Sequence, residues 1–358
     1  MQTDWHFCTT SLRQVSRTFS RPIEVLPGEL RKAVTCGYLL CRVVDAVEDN
    51  EAFSLGERDE RYQAFHEVLR GAAPPSSFER LWDGVEGSPA HEIELCSQVH
   101  RVMAVVGDVP PPMREAVLRW VTEMARGMQI YSHRSADGDG VIAPWTSDDL
   151  QRYCYFVAGT VGHMLTELFA AEMKLEPESP VAQRMSELAE PFGAGLQLVN
   201  ILKDITDDLN RGWSFVPRSL CRAQGLHNRD LANPERRTEA HRAVTPLFDL
   251  ARRNLDRALD YALTVPKEHT EVRLFCLLPL WLAVRTIARA YGNDAMFMPN
   301  EEVKVSRQEV EEVIARCTQN VGDDGLLRAD YEAMWHPVAR LMAAGWTSNE
   351  WLVEMEVA

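Results

Sequence analysis

Apolar residues along this chain of 358 residues recur mostly at i, i+3 and i+4, while alternating runs of β-branched residues are scarce. That recurrence is the period of one face of an α-helix, and it confines the chain to an all-α fold. Short Pro-, Gly- and Ser-rich stretches at 71–77, 107–113, 134–146 and 218–237 cut the pattern into separate helices, and none is long enough to be a domain linker. Solenoid-period repeats and low-complexity tracts are absent. One helical domain over 1–358 is the expectation.

Charge restricts the partners. Lys and Arg total 38 against 53 Asp and Glu, a formal net charge of −15. A field of that sign repels nucleic-acid phosphates and anionic lipid, so no nucleic-acid partner is expected. It also repels an anionic substrate unless a multivalent cation or a local basic cluster reverses the sign at the site. Eight cysteines lie mostly among apolar neighbours, without C-x-x-C or zinc spacing, and read as reduced thiols of a cytoplasmic protein. The first 21 residues lack a secretory apolar stretch, and the longest apolar run, 274–284, is half a membrane span interrupted by Pro279. No transmembrane segment is expected.

Four helices carry the chemistry. The first begins at Pro27-Gly28-Glu29 and runs to about Asp49. The second opens at Thr146, which has capping-box spacing to Asp149, and runs through Tyr153 to about Lys174. Its stretch Ala158-Gly159-Thr160-Val161-Gly162 exposes backbone for close approach, at a propensity cost of ~1 kcal/mol per Gly. The third is expected from near Pro191 to near Asn210-Arg211-Gly212. The fourth runs from about Thr270 to Tyr291 and should bend at Pro279.

Two of these helices end in carboxylates. At ~100° per residue, Asp45, Glu48 and Asp49 share one face. They repel one another near a helix C-terminus, where the macrodipole also disfavours anions. The third helix carries Asp204, Asp207 and Asp208, with Gln197, Asn200, Asp204 and Asp208 on one stripe. Either cluster alone also reads as a solvated acidic helix end. Two together favour oxygen-only ligation of Mg²⁺ that bridges an anionic diphosphate, which resolves the charge conflict. Tyr38 and Arg42 lie on about the same stripe as Asp45 and offer a phenol and a planar donor fork. The segment Ser16-Arg17-Thr18-Phe19-Ser20-Arg21 reads equally as an anion-binding stretch or a capping loop.

These residues together resemble the squalene/phytoene synthase family of head-to-head prenyl synthases. The matching pieces are Ser16 to Phe19, Gly28 through Tyr38-Leu39-Leu40-Cys41-Arg42 to Asp49, Tyr153 to Gly162, and Gln197 through Asp208 to Pro217. They span about 10–300 in the family's order, leaving 301–358 as a helical extension. The resemblance implies a helical isoprenoid-synthase bundle around an apolar cavity. Phe275-Cys276-Leu277-Leu278-Pro279 and Lys304 resemble positions that serve NADPH in squalene synthases, which tilts the reading towards that branch. Three positions depart from the pattern. Trp213 and Ser306 stand where members tend to carry a basic residue, with Arg211 and Arg307 adjacent, and Thr10 falls near a third such position.

The resemblance further implies condensation of two farnesyl diphosphates through presqualene diphosphate, followed by NADPH reduction to squalene. Mg²⁺ would be held by Asp45, Glu48, Asp49, Asn200, Asp204 and Asp208. Ser16, Arg17, Tyr38, Arg42, Gln197, Asn200 and Arg211 would hold the diphosphates, and Tyr153 would guide a proton or stabilise a cation. Phe19, Phe156, Leu196 and Phe275 would wall the cavity, and Phe275, Pro279 and Lys304 would serve the cofactor. Phytoene or dehydrosqualene formation without NADPH, arrest at presqualene diphosphate, quenching by water, and a non-catalytic isoprenoid-binding protein are the alternatives. A monomer with peripheral membrane contact for release of an oil-like product completes the expectation.

Overall fold

The computed structural model describes residues 2–16, 19–301 and 303–343. In chain order the helices are α1 (Gln2–Val15), α2 (Ser20–Glu24), α3 (Gly28–Asp49), α4 (Leu55–Leu69), α5 (Ser76–Glu79), α6 (Ala90–Ser97), α7 (Val99–Asp108), α8 (Pro111–Ser132) and α9 (Ser147–Cys154). They continue with α10 (Thr160–Glu172), α11 (Pro180–Lys203), α12 (Ile205–Asn210), α13 (Arg218–Ala223), α14 (Arg237–Thr264), α15 (Thr270–Ala290), α16 (Arg307–Asn320) and α17 (Asp324–Ala343). Among the described residues no strand forms, and Ile142 and Trp213 make an isolated bridge. The all-α expectation is met.

The chain forms two compact units, one from residues up to 134 with 155–193, the other from 135–154 with the residues from 194 onward. In the first unit α3 is the central helix, packed by α1, α7, α8 and α10. Leu30, Leu39, Leu40, Val43 and Val44 are fully buried on it, and each contributes roughly 1.5–3 kcal/mol. Pro27 in extended conformation caps its start, and Gly28 follows at φ 40°, a conformation open to glycine but costly for other residues.

A π-helical turn over Tyr155–Gly159 separates α9 from α10, so the second expected helix forms with a bulge in its middle. Thr146 Oγ1 accepts from Asp149 N at 3.2 Å, and Asp149 Oδ2 accepts from Trp145 N at 2.9 Å. Close backbone approach occurs where the small residues are. A Cβ on Gly162 would fall 2.0 Å from the Ala189 carbonyl oxygen, and one on Gly193 would fall 2.0 Å from that of Ala158.

The third expected helix differs in two ways. It starts at Pro180 rather than near Pro191, because Met185, Leu188, Ala189 and Phe192 carry the buried face through that proline. It also breaks at Asp204 (φ −106°, ψ 19°) before α12.

In the second unit α14, α16 and α17 pack against α15. Pro279 sits inside α15 without ending it. Trp281, Tyr331 and Trp335 are buried there and form an aromatic chain with centroids 6.1 Å apart. All eight cysteines are free and buried. Among the described residues no helix is long and apolar enough to cross a membrane.

Candidate active site

In the first unit the site stands on the C-terminal half of α3. Burial of Leu39, Leu40, Val43, Val44 and Val47 leaves Tyr38, Arg42, Asp45, Glu48 and Asp49 on the half-exposed side of the helix. Arg42 is their hub. Its Nη1 lies 3.3 Å from Asp45 Oδ2 and its Nη2 lies 4.0 Å from Asp49 Oδ2. The same Nη2 donates to Glu92 on α6, a carboxylate only 5% exposed.

These charges shift one another. Burial works against a charge on Arg42, but Asp45, Glu92 and Asp49 outweigh it and hold its pKa above the ordinary value. Burial pushes Asp45 up to about 7; Arg42 opposes the shift, and Asp49 and Glu92 add to it. The α3 face therefore holds more negative charge than its single guanidinium neutralises.

Ser16 is buried beside this face, and its Oγ accepts from Phe19 N at 3.0 Å. The Phe19 ring lies 6.0 Å from that of Tyr38. Burial raises the Tyr38 phenol, while a hydrogen bond with Ser16 and the charge of Arg42 pull it down. The structure thus brings together Ser16, Phe19, Tyr38, Arg42, Asp45 and Asp49. Arg17 lies outside the described residues.

In the second unit the acidic segment straddles the break between α11 and α12. Asp204 N still donates to Asn200 O at 3.0 Å, and Asp208 N to Asp204 O at 2.9 Å. Asn200, Asp204 and Asp208 therefore stay in helical register across the break. Lys203 Nζ meets Asp204 Oδ2 at 2.6 Å, and Arg211 Nη2 meets Asp208 Oδ1 at 2.5 Å. Gln197 is half-buried and Asn200 exposed.

Three aromatic rings lie beside these charges. Tyr153, 5% exposed, stacks on Phe215 at 4.6 Å and 22°. Phe215 stacks in turn on Trp213 at 6.0 Å and 20°. Trp213 N donates to Asp208 O at 2.9 Å, which ties the stack to the acidic segment through the backbone. The bridge to Ile142 fixes the same strip, with Ile142 N to Gly212 O at 2.9 Å and Ser214 N to Ile142 O at 2.8 Å. Gly212 takes φ 78° to make the turn. Trp213 is the outer ring of the stack, and Arg211 pairs with Asp208.

The expected cofactor residues are also on the second unit. Phe275 and Pro279 are buried within α15, and Lys304 is exposed. Ser306 caps α16: its Oγ accepts from Glu309 N at 3.3 Å, and Glu309 Oε2 accepts from Ser306 N at 2.9 Å. Burial opposes the charge on Glu309, but Arg289 and Ser306 hold that carboxyl at about 2. Ser306 thus serves as the N-cap of helix α16.

Among the described residues no three His, Cys, Asp or Glu side chains converge as a ready-made metal cage. Instead, Asp45 and Asp49 face Arg42, Asp204 faces Lys203, and Asp208 faces Arg211. Their donor set, Asp and Glu with Asn200, is oxygen only. Such hard ligands fit Mg²⁺, which takes one or two carboxylates and completes its shell with water and phosphate oxygens.

Sequence reasoning missed three participants. Glu92 carried a signal, an acid on the same helical face as the buried Leu95 and Cys96. Phe215 and Trp213 join Tyr153 only through tertiary folding, and spacing gave no sign of it.

Comparison with known proteins identifies the family. The sequence profile described as Squalene/phytoene synthase matches residues 12–309. Squalene synthase 1 of Arabidopsis thaliana is 28% identical over 324 residues, 89% of this chain and 72% of that one. A solved complex of TcSQS with the ligand BPH1237 superposes with a TM-score of 0.75 at 22% identity, covering 96% of this chain and 100% of the other. A dehydrosqualene synthase solved with a ligand gives 0.65 at 19% identity, covering 89% and 97%. These two structures share the helical isoprenoid-synthase fold. The chain belongs to the squalene/phytoene synthase family of prenyltransferase-type enzymes.

Proposed function

We propose that the protein condenses two farnesyl diphosphates head to head through presqualene diphosphate and reduces the product to squalene with NADPH. The observation that carries this reading is the second unit's arrangement of charge beside π-faces. Asp208 with Arg211 adjoins the stack of Trp213, Phe215 and Tyr153. Ionising an allylic diphosphate requires both, a charged group for the departing anion and an electron-rich face for the cation left behind.

Asp45, Glu48, Asp49, Asn200, Asp204 and Asp208 would hold Mg²⁺. Bound there, Mg²⁺ supplies Lewis-acid stabilisation of the diphosphate leaving group. Arg42, Arg211, Tyr38, Ser16, Arg17 and Gln197 bind diphosphate oxygens and orient the substrate. As diphosphate takes up Arg42 and Arg211, Asp45, Asp49 and Asp208 give up their internal counter-ions. Tyr153, held by Phe215, presents its ring to the cation and its hydroxyl to the proton lost on ring closure. Apolar side chains such as Phe275 and Leu196 on the second unit would exclude water from the cation.

NADPH supplies the hydride of the reductive half. Lys304, exposed and followed by Arg307, fits the charge of its phosphates, and Phe275 with Pro279 shapes the apolar side. Capping of α16 by Ser306 favours a second reading, condensation to dehydrosqualene without a reductant, since that residue brings no charge to a nucleotide phosphate. The chain is assigned to the cytoplasm as a monomer, with peripheral membrane contact for product release.

The test is incubation of purified protein with farnesyl diphosphate and Mg²⁺, with and without NADPH, followed by gas chromatography and mass spectrometry. Squalene formed only with NADPH supports the first reading. Dehydrosqualene in both reactions supports the second, and absence of turnover sinks both.

A further inference from the structure

Glu92 is a buried acid that the reaction scheme does not use. Its side chain is 5% exposed, it lies on α6 rather than on the acidic end of α3, and it makes the closest of Arg42's three carboxylate contacts. Asp45 at 3.3 Å and Asp49 at 4.0 Å share what remains of the guanidinium's charge. A guanidinium is an internal counter-ion. Wherever it sits fully on Asp45 and Asp49, it competes with any external cation for those oxygens.

We infer that Glu92 is a positioning residue that draws Arg42 off Asp45 and Asp49, leaving their oxygens open to a divalent cation and the guanidinium poised for diphosphate. The inference rests on the reading of Asp45 and Asp49 as cation ligands. Glu92→Gln keeps the shape and one acceptor but removes the charge. Arg42 then falls onto Asp45 and Asp49, and the cation must displace it. Removing Arg42 as well abolishes the competition, so the loss should reverse. A purely structural ion pair between α3 and α6 gives a different pattern: Glu92→Gln lowers the melting temperature and leaves cation binding unchanged.

The experiment is titration of the full chain with Mn²⁺ alone, free Mn²⁺ being read by electron paramagnetic resonance, with folding checked by circular dichroism. Glu92→Gln is expected to weaken Mn²⁺ binding about 5- to 20-fold, and the double variant E92Q/R42Q to return it to within about 2-fold of the parent. Arg42→Gln alone keeps the test decisive should E92Q fail to fold. It is expected to tighten Mn²⁺ binding at least 3-fold, because Glu92 and both aspartates then lack their counter-ion. Unchanged binding in E92Q, a loss that R42Q does not reverse, or unchanged or weaker binding in R42Q overturns the inference. Failure of the parent to bind Mn²⁺ overturns the ligand reading beneath it, and the inference falls with it.

Discussion

Gly162→Ala is expected to destabilise the fold strongly, and Gly193→Ala to do the same. In each case the new methyl meets backbone that has no other rotamer. At 162 it lies 2.0 Å from the Ala189 oxygen and 2.8 Å from its carbon, and at 193 it lies 2.0 Å and 2.6 Å from those of Ala158. Relief requires the helices to part by more than an ångström, which strips contacts from both. Such overpacking costs roughly 3 kcal/mol or more, a fall in melting temperature of roughly 4 °C or more for a chain of this size. Gly159→Ala is the contrast, since its methyl meets Glu190 Cγ and Tyr155 Cδ2 at 3.2 Å, both on side chains that can yield. Thermal melts and soluble yield of the three variants check the account. A Gly162→Ala melt within about 2 °C of the parent would contradict it.

Asp45→Asn is expected to cut turnover about a hundredfold to a thousandfold, the range for losing one group that stabilises developing charge. The metal-free variant should nevertheless be more stable than its parent at pH 8. Asp45 has its folded pKa raised from 3.8 to about 7, so ionising it opposes folding. That penalty is absent below about pH 4, grows between about 4 and 7, and is complete above 7. The side chain is 30% exposed and Arg42 loses a partner, so the gain is roughly 2–4 °C at pH 8 and none at pH 4. Melts at both pH values, with steady-state assays, check the pair of results. Lower stability together with lower activity would make Asp45 a structural residue.

Legibility in the sequence followed how local the cause was. The α3 helix could be read to its ends because Pro27, Gly28 and an unbroken apolar face sit within it. The bounds of α15 could be read from its own apolar run. Pro191 misled, since a proline suits a first turn, yet buried Met185, Leu188, Ala189 and Phe192 hold α11 together through it. The break at Asp204 and the π turn at Tyr155–Gly159 leave no mark in a period-3.6 pattern, because tertiary packing sets both. For the site, acids that follow one another on a helix were visible. Partners from other segments were not, such as Glu92 for Arg42 and Phe215 and Trp213 for Tyr153. Lys203 and Arg211 stood in plain sight beside the acids they neutralise, and only the fold shows that they pair.

The central claim is that both acidic helix ends serve cation-assisted loss of diphosphate. Its most direct measurement is release of inorganic diphosphate from farnesyl diphosphate, followed against Mg²⁺ concentration in the parent, Asp45→Asn and Asp204→Asn. The account predicts saturable Mg²⁺ dependence abolished by EDTA, with either substitution lowering release at least about a hundredfold. Release that persists in EDTA, or at the parental rate in either variant, would contradict it.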